Sequence, residues 1–103
     1  MNDSARLLEL ACKALWSATL SLMTAYMQTA APAHRLLLAR RIAANFEALS
    51  RQDSFSRNSR EAFGRLQLRW QHTAERLAAA MTHEGEGGRG LLERLLPFGP
   101  QRL

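Results

Sequence analysis

Residues 63–81 read Phe63-Gly-Arg-Leu-Gln-Leu-Arg-Trp-Gln-His-Thr-Ala-Glu-Arg-Leu-Ala-Ala-Ala-Met81. Phe63, Leu66, Trp70, Ala74, Leu77 and Met81 recur every three or four residues, which at about 100° per residue stacks them on one side of a helix. Arg65, Arg69, His72 and Arg76 fall on the opposite side. A helix with one apolar and one charged face packs against other helices or against a sheet. No stretch of the chain shows the alternation a half-buried strand requires, so the expected class is all-α.

Two further helices are expected N-terminal to this one. Pro32 suits the first turn of a helix, where its missing N–H costs nothing. Leu38, Ala39, Ile42, Phe46 and Leu49 then line one face, with Arg40, Glu47 and Arg51 opposite. The first helix starts near Asp3 or Ser4, both good N-caps. Its stripe is Leu8, Ala11, Cys12, Leu15, Ala18, Leu22 and Tyr26, with Trp16, Leu20, Met23 and Met27 as a shoulder. The apolar arc is about 200° wide, about twice what an amphipathic surface helix needs. Residues 14–33 carry no charge.

The segment after Arg51 reads as a loop, and Asn58 with Glu61 fits a capping box that starts the third helix. Gly64, in its first turns, offers room for a neighbouring backbone. The helices are expected over about 4–29, 32–50 and 59–82, joined by short connections. An antiparallel three-helix bundle over 1–84 follows. Gly85, Gly87, Gly88 and Gly90 mark a linker over 85–90. A short helical tail over 91–103 presents Leu92, Leu95 and Leu96 on one side, a shape suited to docking in a groove.

With 103 residues and a hydrophobic fraction of 47%, the chain holds one core without disulfides or metals. Cys12 is the sole cysteine, which excludes an internal disulfide and suits a reducing compartment. Ala31-Pro32-Ala33 resembles a small-residue cleavage site, but Asp3 and Glu9 stand where a signal peptide prefers positive charge. A cytoplasmic protein without a membrane span is expected.

No catalytic residue, cofactor site, metal site or small-molecule substrate is expected. His72 and His83 are about 16 Å apart along a helix, too far to share an ion. Gly85 to Gly90 matches a dinucleotide-binding fingerprint in letters only, since no strand precedes it and no long helix is expected after it. Cys12 lies on an apolar stripe, where a thiol is inert.

Two surfaces remain as candidates. The net charge is +5, and all but one of the 14 basic residues are arginine. The excess lies between Pro32 and Met81, and Arg65, Arg69, His72 and Arg76 form a stripe that could meet an acidic protein or phosphates. Glu61 shares that side and no aromatic residue interrupts it to stack on bases, so nucleic acid is the weaker option. The second candidate is a partner interface of Trp16, Leu20, Met23 and Met27, joined by Leu92, Leu95 and Leu96 of the tail. It has the aromatic and methionine composition of an interface anchor. A non-enzymatic, self-associating interaction protein is the expected function, ahead of a nucleic-acid-associated protein and of an amphipathic coat on a lipid or polymer surface.

Overall fold

The computed structural model describes the backbone of residues 2–95 and the side chains of residues 3–82. The described chain is all-helical, with α1 at Asn2–Gln28, α2 at Pro32–Ser50 and α3 at Arg57–Leu95. No strand occurs among the described residues. α2 and α3 pack closely against each other.

α2 begins at Pro32 and ends at Ser50, the bounds the proline and the apolar spacing predict. Its inward residues Leu38, Ala39, Ile42, Phe46 and Leu49 are buried, and Ala43 joins them. The Glu47–Arg51 ion pair forms at 2.9 Å on the exposed side, where such a pair adds only a few tenths of a kcal/mol.

α3 starts earlier than the Asn58–Glu61 pattern suggests. The Ser56 hydroxyl accepts a hydrogen bond from the Ser59 amide at 3.1 Å, and the Ser56 carbonyl accepts one from the Arg60 amide at 2.9 Å. Ser56 is therefore the cap, and Glu61 pairs with Arg57 at 3.5 Å instead of closing a capping box. The serine wins because its neighbour Phe55 is anchored, edge-on to Phe63 at 5.0 Å between ring centres. Arg60 reaches back across the loop to Asp53 at 3.5 Å.

At its other end α3 runs unbroken through the glycines of 85–90 to Leu95, where a linker and a separate tail helix were expected. Adding a residue to an existing helix carries no nucleation cost, so a helix arriving through Glu84 can propagate across glycines. Each glycine still costs about 1 kcal/mol relative to alanine. Leu96 and the rest of the expected tail lie outside the described residues, as do the side chains of Leu92 and Leu95.

The core lies where the three helices meet. Phe46, Ile42 and Leu49 of α2 are fully buried, and Phe63 and Ala74 of α3 close over them. α1 joins through Trp16, whose ring lies 5.9 Å from Phe46 and 5.2 Å from Phe63, and through Tyr26, edge-on to Trp70 at 4.9 Å. The Arg35 guanidinium stands 4.2 Å from the centre of the Tyr26 ring, a cation–π contact that ties the start of α2 to the end of α1. Thr19 is buried outright, its hydroxyl donating to the Leu15 carbonyl at 2.7 Å. Nothing approaches Gly64: a side chain added there would meet no atom within 4 Å.

Candidate functional site

The two ends of α1 differ in how they are covered. Cys12 is buried, and its thiol donates to the Gln52 side-chain carbonyl at 3.6 Å, just beyond the end of α2. From Asp3 to Ala11 every residue is exposed, whatever its polarity. The first turns of α1 thus extend past the other two helices. Leu8 continues the inward-facing side of the helix into open solvent at 53% exposure, with Leu7 and Leu10 beside it at 67% and 51%.

The expected interface residues divide. Trp16 and Met23 are half-buried and packed against the core, so they hold α1 in place instead of being displayed. Leu20 and Met27 are exposed, at 46% and 79%. Leu8, Ala11 and Ala18 of the stripe assigned to the core are exposed as well. The inward side of α1 is centred on Cys12, Trp16, Thr19, Met23 and Tyr26, rotated from the expected stripe toward its shoulder. An arc of about 200° tells which half of a helix is apolar but not where its buried centre lies. The side chains of Leu92 and Leu95, and Leu96 entirely, lie outside the described residues.

A groove between α1 and α2 is lined by Leu15, Ala18 and Leu22 with Ser21 on one wall, and by Leu37 and Leu38 with His34, Arg40, Arg41 and Asn45 on the other. Leu37 is 64% exposed, and its position on the edge of this groove was not singled out by the sequence pattern. No family model, curated protein or solved structure matches this chain. The surface must be read from its own chemistry.

The arginine stripe is where the sequence places it. Arg65, Arg69, His72 and Arg76 are all exposed on one side of α3. His72 stands 4.0 Å from Glu75, while Arg65, Arg69 and Arg76 have no carboxylate within ion-pair distance among the described residues. Leu68, 63% exposed, lies beside them. Among the described residues no three His, Cys, Asp or Glu side chains cluster as metal ligands would, and no described helix is long and apolar enough to cross a membrane.

Proposed function

We propose that this chain is a non-enzymatic protein–protein interaction module, an antiparallel three-helix bundle that self-associates through α1. The contacts support the antiparallel arrangement: Trp16 and Tyr26 of α1 meet Phe46 and Arg35 of α2 in falling order and Phe63 and Trp70 of α3 in rising order. The observation that carries the functional reading is the surface of α1. This helix leaves Leu7, Leu8, Leu10, Leu20 and Met27 exposed, and its sequence has no charge after Lys13. A solvated helix face ordinarily carries charge, whereas the centre of a protein interface is depleted of it. The net charge of +5 lies outside α1, whose own four charges cancel, keeping the molecule soluble while leaving α1 able to dock.

Sedimentation equilibrium over a concentration series tests this. A mass rising with concentration above the 11.6 kDa of the chain is expected; a constant 11.6 kDa up to millimolar concentration contradicts self-association.

A second reading rests on Arg65, Arg69 and Arg76, which have no carboxylate partner among the described residues and could track phosphates as a nucleic-acid-associated protein does. Its signature is steeply salt-dependent binding to mixed-sequence DNA or RNA. No binding at low salt removes it.

A further inference from the structure

α1 carries a seven-residue regularity that overlaps the side entering the core: Leu15, Leu22 and Ala25 pack partly against the core, and Leu8 continues the inward side beyond it. Leu8, Leu15 and Leu22 recur at one position of a seven-residue repeat, and Ala11, Ala18 and Ala25 at another. A heptad repeat keeps one stripe facing a neighbouring helix along its whole length. The chain's own helices use this stripe only in part: Leu8, Ala11 and Ala18 are exposed, and Leu15, Leu22 and Ala25 are half-buried. Leu37, across the groove that Leu15, Ala18 and Leu22 line, is likewise left uncovered.

We propose that this stripe pairs with the same stripe of a second copy of the chain, antiparallel, about a two-fold axis passing between Trp16 and Ser17. This rests on the reading of α1 as the self-association surface and gives it a geometry. In that register Leu8 faces Ala25 of the copy, Leu15 faces Ala18 and Leu22 faces Ala11, and symmetry repeats each contact. Every leucine meets an alanine, so large and small side chains interdigitate in each layer. The patch is complementary to itself, as an isologous interface requires. A parallel pairing would set leucine against leucine and alanine against alanine, leaving layers alternately crowded and empty.

Charge agrees with the register. Arg6, Glu9 and Lys13 of one copy lie level with the uncharged Met27, Thr24 and Leu20 of the other, so the α1 charges of the two copies do not oppose one another, while Arg40 and Arg41 of α2 flank the groove. The extent of the contact sets its strength. Residues 8 to 25 span about 26 Å of a helix about 10–12 Å wide. That strip falls short of the roughly 1,600 Å² of a standard interface and belongs with the weak, concentration-dependent class.

Sedimentation equilibrium on the full chain tests the register through a size swap. Ala25→Leu sets leucine against leucine, and Leu8→Ala sets alanine against alanine; each should weaken the dimer about tenfold, a difference of about 1.4 kcal/mol. The double variant Leu8→Ala/Ala25→Leu restores one large and one small residue to the layer and should return to within about threefold of the wild type. Circular dichroism melts check that each variant folds. Ala18→Arg, at an exposed position next to the axis, should abolish dimerisation without disturbing the fold. A wild type that dimerises while the double variant stays at least as weak as the single ones overturns the register and leaves self-association standing. A wild type that remains monomeric overturns both.

Discussion

Phe46 is the residue on which the three helices converge, fully buried and in contact with Trp16 of α1 and Phe63 of α3. Truncating it removes contacts to both neighbours and leaves a cavity that rigid helices cannot close. Phe46→Ala should cost about 3–5 kcal/mol, read as a drop in melting temperature of well over about ten degrees for a domain of this size. Gly64 predicts the opposite sign. Its position is helical and its missing side chain has open space around it, so glycine there contributes only backbone freedom to the unfolded chain. Gly64→Ala should stabilise the protein by about 0.5–1 kcal/mol in urea denaturation. A loss instead would mean that a neighbour approaches this turn. Single-residue roles of this kind were only partly legible in the sequence. Leu38, Ile42, Phe46 and Leu49 could be read from spacing because α2 has one narrow apolar face. Phe55 could not, because it sits among polar loop residues and gains its role from a ring seven positions beyond the loop that follows no local pattern.

At the scale of elements, α2 was the most legible because two independent signals agree on its bounds: the proline at its start and the end of its apolar spacing. The start of α3 was less so. Ser54, Ser56, Asn58 and Ser59 are all cap-type residues, and local chemistry does not choose among them; packing of Phe55 on Phe63 does. Ser56→Ala should therefore cost about 1 kcal/mol, measured by chemical denaturation, while Asn58→Ala should cost a few tenths at most. The glycines of 85–90 predict a break that α3 does not make, since composition reports what a segment prefers alone and not what a preceding helix propagates into it. α1 was readable as a helix but not in its rotation. Its apolar residues cover much of its circumference: of the expected stripe Cys12 and Tyr26 are buried and Leu15 and Leu22 half-buried, but Leu8, Ala11 and Ala18 are exposed, while Trp16 and Met23 of the shoulder pack inward. The same breadth that obscures the core leaves apolar residues of α1 exposed.

The whole molecule is a rod, with extents of 72 × 24 × 20 Å. Its three helices overlap over only part of that length: the first turns of α1 project at one end, and α3 outruns the shorter helices at the other. The radius of gyration is 20.1 Å, against about 13 Å for a compact domain of similar length. X-ray scattering at low concentration should return a value near 20 Å, and a value near 13 Å would show that the ends fold back onto the body. The four charges of α1, Asp3, Arg6, Glu9 and Lys13, cancel and none follows Lys13, so the net charge lies outside this helix, between Pro32 and Met81. Self-association through α1 is the central claim, and a dilution series of amide NMR spectra tests it most directly. Signals from residues 8–25 should move with protein concentration while those of Arg65, Arg69 and Arg76 hold still. Spectra that do not change with concentration, or changes confined to the arginine side of α3, would contradict it.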